Sequence, residues 1–197
     1  MSDRLLVVTA TREGAVSLSA GAHDITITFF ENGGGAMLKV AIKPPGAPDW
    51  APLAPDMLSN HYGCSCHSGL FFEAYDPQTG FDWGNLEQVS ATVTQDMWVG
   101  TDGIPWQPTV RHEEHAGNPM GAIWYENDGA FVQEIDGFDA TDNFVMRWRG
   151  VITVPVDGHY SFATESDDGS LLYIDGQRIV DNDGIHGVSS HATCHYL

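Results

Sequence analysis

The chain has few basic residues and many acidic ones. Of its 197 residues, 8 are Lys or Arg and 27 are Asp or Glu, so the formal net charge is -19. Such a surface repels the phosphates of nucleic acids and of anionic membranes, and neither is an expected partner. Dense carboxylates attract cations, above all calcium. A plainer interpretation is that the charge only keeps the protein soluble.

Long apolar segments are also missing. No run approaches the roughly 20 residues that a membrane-spanning helix needs, so membrane insertion is not expected. The apolar stretch Leu5–Val8 is too short for a signal peptide. Two explanations stay open: a leader segment has been removed, or the chain is one piece of a longer product.

Catalytic signatures are absent too. The chain has no Gly-x-Ser-x-Gly elbow, phosphate loop, dinucleotide fingerprint or His-Glu-x-x-His motif. Paired acids in a glycosidase face each other across a sugar-sized cleft, whereas the acids from Glu165 to Asp183 fall on predicted turns. The sequence therefore predicts a protein that is not an enzyme.

Cysteine is scarce and its count is odd. Cys64 and Cys66 are too close for an ordinary unstrained disulfide with each other. Each is expected to pair with a different partner, such as Cys194 or another subunit, if disulfides form. His61 and His67 lie beside them, so a zinc or copper site is the alternative.

A second histidine group lies in Arg111–His115. His112 and His115 would share a face on a helix and could then hold a metal. Nothing nearby predicts a helix, so a solvated loop is the favoured interpretation.

Helical patterns are nearly missing, and period-two alternation takes their place. Ile25, Ile27 and Phe29 alternate with threonines, and the segment 144–154 alternates in the same way. Asp175-Gly176 predicts a two-residue hairpin turn in which both residues have positive φ. These patterns predict an all-β fold, an antiparallel β-sandwich. Five prolines within residues 43–56 exclude a central strand there and indicate a linker or a chain lying over a surface.

Several motifs together resemble a known family. They are Phe144-Val-Met-Arg-Trp-Arg-Gly150, Ser166-Asp-Asp-Gly-Ser170, Val180-Asp-Asn-Asp-Gly184, Gly69-Leu-Phe-Phe-Glu-Ala-Tyr75 and Phe29-Phe-Glu-Asn-Gly-Gly-Gly-Ala36. They resemble the PA-fourteen (PA14) domain, named after a fragment of the bacterial toxin protective antigen. The resemblance implies a jelly-roll-like sandwich that binds carbohydrate.

The order of the motifs departs from that family. Residues 1–43 resemble its closing strands, residues 44–68 form the proline-rich linker with Cys-Ser-Cys, and residues 69–197 resemble the opening and middle strands. Three arrangements account for this order: a circular permutation, a slice through tandem repeats, or strands lent to a neighbouring subunit.

The resemblance also implies a calcium site. Sugar-binding members hold calcium with an Asp pair joined by a cis peptide, and Asp167 and Asp168 match that pair. Asn182 and Asp183 are weaker candidates for further ligands. The alternative is that Asp-Asp-Gly is only a turn whose side chains bond to backbone amides.

Sugar rings stack on aromatic side chains, so tryptophans are candidates for the remaining ligand contacts. The predicted ligand-binding residues are Trp83, Trp98 and Trp106, with Trp124 as a further candidate. The first hypothesis is a calcium-assisted glycan-binding or adhesion module of extracellular or cell-surface type. The alternative is a structural protein that forms homo-oligomers or filaments by exchanging its N-terminal strands.

Overall fold

The computed structural model describes residues 10–62, 65–75, 86, 98–99, 105–106, 110–115 and 123–186. Within these ranges the protein is built mainly from antiparallel strands, with a short α-helix and a 3₁₀ turn at Pro55–Met57. The strands are β1 (Ala10–Leu18), β2 (Gly21–Glu31), β3 (Met37–Lys43), β4 (Ala51–Pro52), β5 (Leu58–Tyr62), β6 (Ser65–Ser68), β7 (Leu70–Tyr75), β8 (Trp98–Val99), β9 (Pro105–Trp106), β10 (Val110–His115), β11 (Trp124–Tyr125), β12 (Phe144–Val154), β13 (Gly158–Asp167), β14 (Ser170–Ile174) and β15 (Gln177–Asn182). The helix α1 spans Asp128–Glu134.

The strands form two main sheets, which confirms the predicted all-β antiparallel sandwich. The first sheet has the order β1-β13-β3-β11, with β4 added beside β3. The second has the order β10-β7-β12-β2-β14-β15, and β5 and β6 join it next to β12. The short strands β8 and β9 pair with each other.

Two of the N-terminal strands, β2 and β3, occupy interior positions, one in each main sheet. β2 lies between β12 and β14, and β3 lies beside β13, all within one chain. Ile25, Ile27 and Phe29 of β2 are buried between the sheets. Since β12 and β14 are neighbours only through β2, the later strands depend on the N-terminal segment for a continuous sheet.

The helix α1 closes one end of the core. Asn127 caps it, because its side chain accepts a hydrogen bond from the Ala130 amide. Phe131 stacks on Phe29 at 5.5 Å and on Tyr125 at 4.4 Å between ring centroids. Seven residues are too few to display a clear helical period, and the sequence patterns did not predict this helix. No helix in the described ranges has the length and apolar character required to cross a bilayer.

The outer face of the second sheet is covered over part of its length. Alternation along β12 predicts that Arg147 and Thr153 point away from the core. Thr153 is exposed, but Arg147 is fully buried and bonded to the equally buried Glu73. A second apolar cluster that includes Val145 and Leu86 covers this face. Alternation identifies the two faces of a strand, but it carries no information about a segment packed on the outer one.

The proline-rich segment lies against the sandwich. β4 pairs with β3, and the Leu53 amide donates to the Val40 carbonyl at 3.1 Å. The Leu53 side chain is fully buried in the main core. The connection from the N-terminal strands to the rest of the chain is therefore packed along its course in residues 51–58.

Candidate cation and ligand site

The Asp-Asp pair lies where the chain crosses from one sheet to the other. Asp167 ends β13 in the first sheet, and Ser170 begins β14 in the second. The peptide bond between Asp167 and Asp168 is trans, so the cis peptide expected here is wrong for this structure. Asp168 instead makes the turn in the left-handed region with φ 57°, which Asp tolerates better than most residues.

Asp168 joins two other segments to this crossing. Its side chain is buried, with 4% of its surface exposed. Oδ2 accepts a hydrogen bond from the Asn32 amide at 2.8 Å, and Oδ1 accepts one from the His186 amide at 3.1 Å. The carboxylate of Asp168 therefore bonds to backbone amides, as the turn interpretation of Asp-Asp-Gly expects.

Residues 32–36, here called the glycine loop, connect β2 to β3 and are held by carboxylates. Four of the five amides in this loop donate to acidic side chains. These bonds run from Asn32 to Asp168, from Gly33 to Glu31, from Gly34 to Asp142 and from Ala36 to Asp128. The acids come from four separate places in the chain, so the fold collects negative charge around this loop.

Glu31 is the most unusual of these acids. It ends β2 and is fully buried. Its Oε1 accepts the Gly33 amide at 2.8 Å, while its buried Oε2 has no hydrogen-bond partner in the described part of the chain. Burial, then the charges of Asp168 and Asp167, raise the pKa of Glu31 to about 8. Burial and the charge of Asp168 likewise raise the pKa of Asp167 to about 7. The carboxylates of Glu31, Asp167 and Asp168, here called the acidic cluster, thus repel one another when they are ionised together.

Of the two further ligand candidates, one lies beside the crossing and the other points into a hydroxyl network. Asp183 Oδ1 accepts the Gly184 amide at 2.8 Å, and it lies 3.0 Å from where a Cβ on Gly169 would stand. Asn182 is buried, and its amide nitrogen donates to Ser166 Oγ at 2.9 Å. Ser166 Oγ in turn donates to the Asp168 carbonyl at 2.8 Å.

These acids do not form a finished metal centre. Within the described ranges, no three His, Cys, Asp or Glu side chains already converge on one point that could hold an ion. A cation would have to draw the carboxylates of the acidic cluster together.

The predicted tryptophans are only partly placed. Trp83 lies outside the described residues. Trp98 and Trp106 are register partners in the β8–β9 pair, and their side chains lie outside the described part. Trp124 is half-buried on β11, where the Lys39 ammonium lies 5.4 Å from the centre of its ring.

The cysteine and histidine predictions fall mostly outside the described ranges. Cys64 and Cys194 lie outside them. Cys66 lies on β6 with His61 as its register partner on β5. The possible disulfides therefore stay predictions, as does metal binding by this group.

The second histidine group is on a strand. His112 and His115 both belong to β10, which pairs with β7 and has a register shift between the two histidines. The predicted solvated loop is therefore wrong at this place. The acids between the histidines concealed the strand, because the segment lacks an apolar alternation.

Sequence reasoning also missed Glu31 and the two acids Asp128 and Asp142. A signal was present at Glu31, since this acid ends the alternating strand pattern of residues 25–30 and comes just before Asn32 and the glycines. Asp128 and Asp142 bond to the glycine loop from distant parts of the chain, so no pattern in the neighbouring sequence marks them. Only the fold brings them to the glycine loop.

One comparison with known proteins is informative. Residues 123–195 match the family model of the PA14 domain. No curated protein and no solved structure matches the chain. PA14 domains are associated with carbohydrate binding and adhesion and are typically extracellular or surface domains. The matched segment contains β12 to β15 and the residues Asp167, Asp168, Asn182 and Asp183. Over residues 123–195, the chain is similar to the PA14 domain.

Proposed function

We propose that the protein is a non-catalytic carbohydrate-binding or adhesion module of extracellular or cell-surface type. A calcium ion at the crossing from β13 to β14 would hold the glycan. The observation that supports this proposal is the acidic cluster, in which a buried carboxylate oxygen of Glu31 has no partner among the described residues. The cluster adjoins the Asp-Asp pair of the segment that matches the PA14 domain.

The chemistry of the donors fits calcium. This ion takes about six to eight oxygen ligands at flexible sites and favours carboxylates. Asp167 would supply a half-buried carboxylate, and Asp183 would supply a second beside Gly169. Both oxygens of Asp168 already accept an amide, but a carboxylate oxygen has a further lone pair for a cation.

The remaining candidate residues have different roles in this proposal. Asn182 is the predicted fourth ligand, and its bond to Ser166 fixes the turn that carries Asp168. When bound, calcium would take two neighbouring hydroxyl groups of a sugar. Trp98, Trp106 and Trp83 are the proposed aromatic contacts for the sugar ring, since an aromatic face and a few fixed polar groups together orient such a ligand.

Calorimetry on the whole chain tests the proposal. A panel of mono- and oligosaccharides is titrated into the protein once with calcium and once with a chelator. We expect binding with calcium, little or none with the chelator, and a loss of binding in Asp167→Asn. Asp49→Asn is the matched control, because Asp49 is exposed on the proline-rich segment.

Two results would contradict the proposal. Equal sugar binding with and without the chelator would remove the calcium ion from it. Calcium binding with no heat from any sugar on the panel would remove the glycan.

A further inference from the structure

Glu31 is held next to the Asp-Asp pair by the residues on both sides of it. The Phe30 amide donates to the Gly169 carbonyl at 3.0 Å, and the Asn32 amide donates to Asp168 Oδ2 at 2.8 Å. Glu31 therefore lies between two backbone amides that both bond to the crossing from β13 to β14. This arrangement joins the end of an N-terminal strand to the loop that carries the Asp pair.

One oxygen of the Glu31 carboxylate accepts a hydrogen bond, and the other has no partner among the described residues. The Gly33 amide at 2.8 Å fixes Oε1. Oε2 is buried and lacks a partner in the described part of the chain, although buried polar atoms are almost always satisfied. Such an atom requires a partner that can enter the site, because burying it alone is unfavourable.

The side chains of the protein do not supply that partner in the described ranges. The Lys and Arg side chains described there all have partners elsewhere. Arg12 donates to the Thr11 carbonyl, Lys43 to the Pro48 carbonyl, Lys39 lies near Glu126 and Glu165, Arg147 and Arg149 contact Glu73, and Arg178 pairs with Asp181. An incoming cation would satisfy Oε2 and also offset the neighbouring carboxylates.

We infer that Glu31 is a ligand of the same cation as Asp167, so that the site is composite. One part comes from the end of β2, and the other comes from the crossing between β13 and β14. This inference rests on the proposed function and adds a ligand to it. Gly33 holds one oxygen of Glu31 so that the other is presented to the ion.

The composite site has a structural consequence. Residues 123–195, which match the PA14 domain, do not include Glu31. The ion would therefore bind fully only when β2 lies between β12 and β14. By linkage, a ligand that needs this arrangement also stabilises it, and calcium should strengthen the docking of the N-terminal strands.

Calcium titration of the full chain tests this inference, with Glu31→Gln as the main variant. Gln keeps the shape and the Gly33 bond but replaces a charged ligand, so we expect the calcium affinity to fall by about tenfold or more. Glu13→Gln is the matched control, since Glu13 is exposed on β1. Thermal melting with and without calcium is the second readout. Calcium should raise the melting temperature of the wild type and of Glu13→Gln much more than that of Glu31→Gln.

The outcomes separate the two proposals. If the wild type and Glu31→Gln bind calcium equally while Asp167→Asn does not, Glu31 is only a buried acid and the inference is wrong, while the proposed function stands. If the wild type binds no calcium, both fail. Melting in chelator shows whether Glu31→Gln folds. If Glu31→Gln does not fold, Glu31→Asp replaces it in the titration. Asp keeps the charge but places it one methylene further from the ion, so we expect the same loss of calcium affinity.

Discussion

His23 joins two turns through its ring, because both of its ring nitrogens face oxygen acceptors. Nδ1 lies 2.7 Å from Asp175 Oδ2, and Nε2 lies 2.8 Å from the Ser19 carbonyl oxygen. Neither oxygen can donate a hydrogen, so both contacts are satisfied only when the imidazole is protonated. The bond to the Ser19 carbonyl, followed by the bond to Asp175, raises the pKa of His23 above its ordinary value of 6.5.

The first prediction concerns the pH dependence of stability. Since the pKa of His23 is higher in the folded state, its contribution is fully present below 6.5 and is lost as the pH rises through the folded-state pKa. We expect the free energy of unfolding of the wild type to exceed that of His23→Asn at about pH 6, and the gap to narrow by about pH 9. Urea denaturation at both values measures this gap.

Asp175→Asn is the companion variant for this experiment. It keeps an acceptor near Nδ1 but removes the charge. Introduced into both the wild type and His23→Asn, it should reduce the difference in their free energies of unfolding at low pH, because its effect on the bond from the Asp24 amide to Oδ1 is common to both proteins. A gap of the same size at both pH values would show that the ring does not change its protonation state there.

The second prediction concerns the buried ion pair between β7 and β12. Glu73 and Arg147 are both fully buried, and Arg147 Nε donates to Glu73 Oε2 at 3.0 Å. Glu73→Gln leaves a buried guanidinium without its counter-charge, and we expect it to lower the free energy of unfolding by about 3–5 kcal/mol. The double variant Glu73→Met with Arg147→Met should recover much of that loss, since apolar residues of similar volume often replace a buried pair.

A double-mutant cycle in urea, made of Glu73→Met, Arg147→Met and the double variant, measures this coupling. The tyrosine contact of Arg147, at 3.3 Å from Tyr75 Oη, adds a hydrogen bond that the double variant does not restore. Additive effects of the two single substitutions would contradict the assignment of the stability to the pair.

Local sequence patterns predicted the elements whose cause is local. The hairpin at Asp175-Gly176 is confirmed, with φ of 49° and 75° at the two turn residues. The alternation of Ile25, Ile27 and Phe29 predicted a strand, and β2 is buried as that pattern requires. Such predictions succeed because turn chemistry and period-two burial depend on neighbours along the chain.

Features that depend on contacts between distant segments could not be predicted from local sequence patterns. The burial of Arg147 follows from a layer that covers the second sheet, and the position of Glu31 follows from the docking of β2 beside β14. The candidate site shows the same division. Its Asp pair could be identified from a motif, but the third carboxylate and the amides that Asp168 accepts come from other parts of the chain.

The third prediction concerns Gly169, where the chain crosses between the sheets. A Cβ at this position would overlap the Phe30 ring and approach Asp183 Oδ1 to 3.0 Å. The Phe30 amide also donates to the Gly169 carbonyl, so β2 cannot move away from this crossing without losing that hydrogen bond. We expect Gly169→Ala to lower the free energy of unfolding by about 1–3 kcal/mol.

Gly33→Ala is the control for this substitution. The nearest atom to its added Cβ is Asp142 Oδ1 at 3.8 Å, which is an ordinary contact. Chemical denaturation in chelator compares the two. A loss in Gly33→Ala equal to that in Gly169→Ala would mean that loop rigidity, and not the close approach of Phe30, sets the effect.

The fourth prediction separates the structural role of Asp168 from ligand binding. Asp168→Ala removes both acceptors of the Asn32 and His186 amides, and hydrogen bonds to a charged group each contribute about 1.5–3 kcal/mol. Part of this loss is offset, because Asp168 also repels Glu31 and Asp167. We expect a net loss of about 2–4 kcal/mol in the free energy of unfolding, measured in chelator.

Asp167→Asn should instead leave the unliganded protein as stable or more stable, since it removes a repelled charge without removing an acceptor of those two amides. If Asp168→Ala unfolds at the same denaturant concentration as the wild type, its two amide bonds contribute nothing to the fold, and Asp168 would be free to act as a ligand alone.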